Sequence, residues 1–387
     1  MANKGPLRYS VNEDQAVLEI QQGTPALDRS VSLRRQVTAQ AMQVFGGWGY
    51  REIQLPLLEH FDALKRGLDD DQIARSFRFV DRAGNLMVLR PDVTPAVAKT
   101  YAYQLRGLPL PLRVSYAHKV VRIERAFGAA QVENYQLGAE LIGREGVVAD
   151  VEILLVILEL LERLGLRGFH INLGDHRLAQ LLLSATGAPR RIRQEVREAI
   201  LARDPDEVRR ILEELGTRQQ FVDALSVLAG LEGGLQQLDV IEATLNGDQA
   251  LRERIRYLRE VEKTIDELGY GTKVRIDLGE IDGPEYYTGI GFSVVSEGAS
   301  RWIARGGRYD KLIAQFGPDV PALGFSFSLE TLVELLHPKM ARGSRRRRSH
   351  ELVAVHQDDP TTGFQQALER RRNNLSTRIV ARDSEER

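Results

Sequence analysis

Two runs, Arg113 to Ile123 and Asn134 to Ile142, alternate like antiparallel strands, and they constrain the possible folds more than any other feature of the chain. A period of two sends successive side chains to opposite faces of a sheet, so each run commits one face to a core. Gln136 and Glu140 are an even number of residues apart and share a face on that reading. Strand signals also occur at Tyr50 to Leu55, at Ser76 to Val80 with Asn85 to Leu89 as a hairpin, and at Phe169 to Leu173. They return at Val274 to Asp277, Tyr286 to Val295, Trp302 to Ala304 and from Gly324. Between them the spacing predicts helices over Ser30 to Trp48, Val93 to Leu105, a stretch ending at Leu164, and Asp310 to Phe316. From His176 to Leu268 the periodicity is helical nearly throughout, which reads as a helical insertion into a strand-rich frame. Antiparallel hairpins mixed with helices predict an α+β architecture.

A length of 387 residues fits two or three domains, and 43% hydrophobic content is enough for a sizeable core. The chain has no cysteine, which excludes disulfide scaffolds, thiolate metal sites and cysteine nucleophiles and fits a reducing cytoplasm. A formal net charge of -1 supplies no general attraction to nucleic acid. Met1 to Gln22 lacks a continuous apolar segment and does not read as a signal peptide. Val147 to Leu164 is apolar but carries Asp150, Glu152, Glu159, Glu162 and Arg163, so it predicts a buried or half-buried helix rather than a membrane span. The run Arg345 to Arg348 reads as a solvated linker ahead of a small β-α-β segment at Leu352 to His356, Pro360 to Arg371 and Thr377 to Ala381.

No phosphate-binding loop, dinucleotide fingerprint, zinc-protease motif or nucleophile elbow is present, and neither a metal nor a cofactor is expected. Chemistry therefore falls to polar residues set among apolar strands: Arg90, Asp92 and Thr94; Arg122 and Glu124; Gln136 and Glu140; Tyr286, Tyr287, Arg308 and Tyr309. Taken one at a time, each reads as a structural pair or a core aromatic.

In order and with their flanks, these residues resemble the class II aminoacyl-tRNA synthetases, and histidyl-tRNA synthetase in particular. Gly49 to Glu59 is similar to motif 1, and Val121 to Arg125 with Tyr135 to Glu140 is similar to motif 2. Ala322 to Leu332 is similar to motif 3. Leu89 to Pro95, Tyr286 to Gly289 and Gly306 to Asp310 resemble segments of that family that bind histidine. The resemblance implies an antiparallel sheet flanked by helices and a dimer formed through the motif 1 region. It also implies a histidine pocket. There Glu140 accepts from the imidazole, Tyr287 and Tyr309 frame it, Asp92, Thr94 and Gln136 take the α-amino group, Arg122 pairs with the carboxylate, and Tyr286 belongs to the same binding set.

Departures from the family bear on chemistry. Adenylation needs positive charge on the transferring phosphate, and catalytic relatives place arginines where this chain has Asp282, Thr331 and, in the motif 2 loop, Ala130. Losing one preorganised charge-stabilising group costs roughly 3 to 4 kcal/mol, so several losses predict that adenylation is lost. The expected division is a synthetase-like core at 1–175 and 270–338, a helical insertion at 176–269, a basic linker at 339–349 and a truncated β-α-β segment at 350–387 in place of an anticodon-binding domain. This combination resembles the regulatory subunits of ATP phosphoribosyltransferase. That implies a cytoplasmic, non-catalytic hetero-oligomer partner of a short catalytic subunit in histidine biosynthesis, with L-histidine as allosteric effector and no role for tRNA. An active histidine-tRNA ligase and a ligand-independent scaffold are the alternatives.

Overall fold

The computed structural model describes residues 8–9, 18–19, 29–126, 129–230, 234–244, 248–299, 301–343, 351–356, 360–373 and 377–382. Its first unit, Met1–Leu336, is built on an eight-stranded sheet. In chain order the strands are β1 (Arg51–Glu52), β2 (Leu112–Ala126), β3 (Ala129–Ile142), β4 (Phe169–Asp175), β5 (Val274–Ile276), β6 (Ile290–Ser296), β7 (Ala304–Arg308) and β8 (Ala322–Ser328). Their spatial order is β5-β4-β6-β7-β8-β3-β2-β1. The interior pairs are antiparallel, whereas the two edge pairs, β5 with β4 and β1 with β2, are parallel.

Alternation along the strands divides the sheet into two faces. Leu137, Ala139 and Leu141 of β3 and Leu323, Phe325 and Phe327 of β8 point into the larger core. That core is closed by helices α1 (Arg29–Gly47) and α3 (Val147–Arg163). Their neighbours Gln136, Gly138 and Glu140 face the other side, as even spacing requires. There Tyr116, Val114 and Val120 of β2 pack with Val93, Ala96 and Val97 of α2 (Val93–Thr100) in a second core. A three-stranded sheet of Leu58–His60, Leu86–Leu89 and Arg78–Val80 flanks this side.

Among the described residues, six helices lie between β4 and β5, the first at His176–Ala185 and the last at Gln249–Glu267, within the segment read as an insertion. The last helix is tied to the frame by buried charge. Asp150 of α3, fully buried, takes the Arg308 guanidinium and the Tyr257 hydroxyl, while Arg254 pairs with Asp175. Burial raises the Asp150 carboxyl, and the Arg308 charge opposes that shift.

Three sequence expectations need correction. Arg125 to Glu133 is not a loop in its described part, because β2 and β3 stay paired as far as Ala126 and Ala129 beyond a register shift between Val121 and Glu124. Tyr286 and Tyr287 precede β6 rather than lying on it, since they belong to a turn closed by the Tyr287 N–H donating to the Pro284 carbonyl at 3.1 Å, and the strand begins only at Ile290. The Asp310 to Phe316 helix shrinks to a 3-10 turn at Ile313–Phe316.

The second unit, His337–Arg387, contains parallel strands Glu351–His356 and Thr377–Arg382 and the helix Pro360–Arg372. The helix that begins at Leu329 continues to Gly343, so the first residues of the expected 339–349 linker are helical. The run Arg345 to Arg348 lies outside the described residues. Among the described residues, no helix is long and apolar enough to cross a membrane.

Candidate functional site

A cleft of about 1060 Å³ opens on the face of the sheet opposite α1 and α3. Its wall includes Asp92 and Thr94 at the start of α2, Arg122 and Gln136 on the β2–β3 hairpin, Tyr286 and Tyr287, and Tyr309 after β7. Seven of the eight sequence-predicted site residues therefore border one space. The volume exceeds the requirement of a single amino acid, since drug-sized ligands fill roughly 300 to 1,000 Å³.

Asp92 organises the end of the cleft nearest α2. Its Oδ1 accepts from the backbone N–H of Val93 at 2.8 Å and so caps the helix. The same N–H is shared with Gln136 Oε1 at 3.2 Å, which fixes the hairpin against the helix start. The other oxygen, Oδ2, accepts from the Tyr286 hydroxyl at 3.2 Å and from Gln72 Nε2 at 3.1 Å. Gln72 gave no sequence signal, being a lone polar residue in a short acidic helix.

The tyrosines form an edge-to-face stack. Tyr286 lies 5.3 Å from Tyr287 and 5.8 Å from Tyr309, ring centre to ring centre, and His176 meets Tyr287 at 5.1 Å. Such contacts add about 0.5 to 1.5 kcal/mol each beyond burial and hold the rings in fixed orientations. Burial pushes all three phenols up, so they act as neutral hydrogen-bonding groups.

Glu140 departs from its expected place. It is fully buried beneath the cleft wall and does not line it. Its Oε1 accepts from Thr94 at 2.8 Å and from Tyr116 at 3.0 Å, and its Oε2 accepts from Tyr309. Because the carboxyl has no exposed surface, a ligand N–H reaches it only if one of these side chains turns aside. Burial raises its pKa to about 8, against the opposing effect of these three hydrogen bonds. Glycines make the arrangement possible. Gly324 stands opposite Glu140 in the β8–β3 register, and a Cβ there would overlap Glu140 Oε2. Gly138 likewise leaves room for the Tyr116 ring across the β2–β3 pair.

The arginine-deficient end is not simply negative. Asp282, which replaces an arginine on the resemblance to the synthetases, is ion-paired with Arg305 at 2.5 Å, and the Arg305 guanidinium lies 5.1 Å over the Trp302 ring. Thr331 lies beneath Arg301, whose Nε donates to Thr331 Oγ1 at 3.0 Å and whose Nη2 reaches Ser328 Oγ at 3.5 Å. Arg122 donates to the Pro91 carbonyl at 3.0 Å. Arg308 turns away from the cleft to Asp150 and Asp310. The side chain of Ala130 lies outside the described residues.

The model of the histidyl-tRNA synthetase family matches residues 25–332. The ATP phosphoribosyltransferase regulatory subunit of Geobacter sulfurreducens is 34% identical over 342 residues, 88% of this chain and 78% of that protein. A solved structure titled as an ATP phosphoribosyltransferase regulatory subunit/histidyl-tRNA synthetase from Bacillus halodurans shares the fold with TM-score 0.81, at 22% identity over 97% of this chain and 94% of that one. A histidine-tRNA ligase subunit from Alicyclobacillus acidocaldarius gives TM-score 0.70 at 26% identity, covering 88% of this chain and 100% of that one. With the histidyl-tRNA synthetase family model matching 25–332 and this similarity to the Geobacter protein over most of its length, the chain belongs to the family of ATP phosphoribosyltransferase regulatory subunits.

Proposed function

We propose that this chain binds free L-histidine in the cleft and conveys its occupancy to a short catalytic ATP phosphoribosyltransferase subunit in the cytoplasm, without adenylating the amino acid or charging tRNA. The carrying observation is that Asp92, Gln136 and the stacked tyrosines share one wall; the resemblance to the synthetases adds that Asp282 and Thr331 stand where those enzymes would carry arginines. On this reading Asp92 takes the ammonium group, Tyr287 and Tyr309 flank the imidazole, and Arg122 receives the carboxylate. Glu140 acts through the hydroxyls of Thr94 and Tyr309, or directly after one of them turns aside. Self-association through the motif 1 region belongs to the same proposal.

Regulation requires histidine to bind the active and inhibited complexes with unequal affinity, and a coupling of about 1 to 3 kcal/mol is typical. The Glu140 carboxyl, fully buried and already accepting from three of the chain's hydroxyls, favours the scaffold as a second reading, in which the pocket holds its own side chains and no ligand. Titration calorimetry with L-histidine, on the chain alone and with its catalytic partner, separates the two. Saturable binding that differs between the two samples is expected, together with no pyrophosphate exchange from ATP and histidine. Absence of binding in both samples refutes the sensor, and robust exchange refutes the loss of adenylation.

A further inference from the structure

We propose that Gln72 is a built-in competitor for the amine subsite, and so sets how tightly and how selectively the cleft takes an α-amino acid. This rests on reading the cleft as a histidine site. Asp92 presents one oxygen to the cleft, Oδ2, because Oδ1 is turned back to the Val93 N–H. A carboxylate oxygen offers about two acceptor directions. Both directions of Oδ2 are taken, by the Tyr286 hydroxyl and by the Gln72 carboxamide. An arriving ammonium must replace one of these donors.

The two donors are not equally held. Tyr286 is wedged between Tyr287 and Tyr309, so its ring has no room to withdraw. Gln72 is half-buried at the cleft edge and can rotate its carboxamide into water. Gln72 is thus the donor that yields. Its departure has a structural consequence as well. Gln72 Oε1 accepts from the Asp69 N–H at 3.2 Å while Asp69 Oδ1 accepts from the Gln72 N–H at 2.8 Å, a reciprocal cap on the helix Asp70–Ala74. Ligand binding opens the side-chain half of that cap and leaves the other half intact. The helix leads directly into Arg75 and Ser76, which pair with Ile123 and Arg122 of the hairpin. Occupancy of the amine subsite is therefore felt first by the segment from Asp69 to Ser76.

The test compares L-histidine with imidazolepropionate, the same molecule without its amino group, on the full chain by calorimetry or competition. Removing the competing donor with Gln72→Ala is expected to tighten histidine about threefold to tenfold, the range of one modest hydrogen bond. Imidazolepropionate, which displaces nothing from Asp92, should stay within about twofold. Gln72→Glu keeps an acceptor for the Asp69 N–H while deleting the donor to Asp92. It should tighten histidine at least as much and imidazolepropionate not at all, and it guards against a collapsed helix as the cause of any loss. Weaker histidine binding in both variants, or equal shifts for the two ligands, overturns the competitor role. If the wild-type chain binds neither ligand, the histidine reading fails first, and the two failures are thereby distinguished.

Discussion

Replacing Gly324 by alanine tests the packing that holds Glu140 in place. The added Cβ would overlap Glu140 Oε2 and lie 2.6 Å from the Ala139 carbonyl oxygen, so either the carboxylate moves or the β8–β3 pair opens. Overpacking of this kind costs about 1 to 3 kcal/mol. Moving the carboxyl group also breaks the Tyr309 bond to Oε2 and leaves a buried hydroxyl without its partner, a loss worth roughly 1 to 3 kcal/mol. The expected destabilisation is about 3 to 5 kcal/mol. Glu140→Ala should cost about 3 kcal/mol by itself, because Thr94, Tyr116 and Tyr309 lose their common acceptor. The double variant should not reach the sum. Once the carboxylate is gone the new methyl no longer meets its nearest obstacle and keeps the close approach to the Ala139 carbonyl, so a favourable coupling of about 2 kcal/mol is expected. Urea unfolding followed by tryptophan fluorescence on the four proteins measures this cycle. Additivity within about 0.5 kcal/mol, or a single Gly324→Ala cost below about 1 kcal/mol, would show that the two side chains do not compete for one space.

The raised Glu140 pKa gives a pH signature. Its folded value is about 8 against an ordinary 4.5, so the folded protein keeps a proton that the unfolded chain releases between those values. This contribution to stability is complete below about 4.5 and declines as pH rises toward 8, by up to about 1.4 kcal/mol per unit. Relative to Glu140→Gln, the wild type should lose about 2 kcal/mol between roughly pH 5.5 and 7.5 in urea titrations, and parallel curves would contradict the protonated carboxyl. Asp150→Ala leaves the buried Arg308 guanidinium with Asp310 as its carboxylate partner and removes the acceptor of Tyr257, for an expected loss of about 3 kcal/mol, the lower end for breaking a buried pair. An Asp150→Ala/Arg308→Met double variant should recover part of that loss in the same unfolding assay.

Much of the sheet was legible because a strand with one buried face must alternate, and β3 and β8 do so around Leu137, Ala139 and Leu141 and around Leu323, Phe325 and Phe327. Pairing beyond the core was not legible. The β2–β3 ribbon continues past Val121 through Glu124, Arg125 and Gln131, where backbone hydrogen bonds set the structure and polar residues leave no apolar period to read. The site followed the same rule. Asp92, Thr94, Gln136 and Tyr309, which border the cleft, stand out in the sequence because they interrupt apolar elements with recognisable flanks. Gln72 and Tyr116 were missed because one is an ordinary polar residue beside acidic neighbours and the other an ordinary core aromatic. What gives them a role is the tertiary approach of α2 and the hairpin, which a sequence pattern does not contain.

The arginines of the cleft show why counting charges from sequence misjudges such a site. Asp282 and Thr331 remove positive charge from the synthetase pattern, yet Arg301 and Arg305 stand within hydrogen-bonding reach of those same two residues. Charge stabilises a phosphoryl transition state only when it is held ready toward the developing negative charge and not already compensated. Arg305 is neutralised by Asp282 and rests on Trp302, while Arg301 reaches the hydroxyls of Thr331 and Ser328. The cleft thus keeps cations but directs them at its own side chains. On the proposed function this is the useful arrangement. A receptor for a free amino acid needs a carboxylate for the ammonium group and walls for the ring, and an uncompensated phosphate-binding cation beside them would invite nucleotide into the same space.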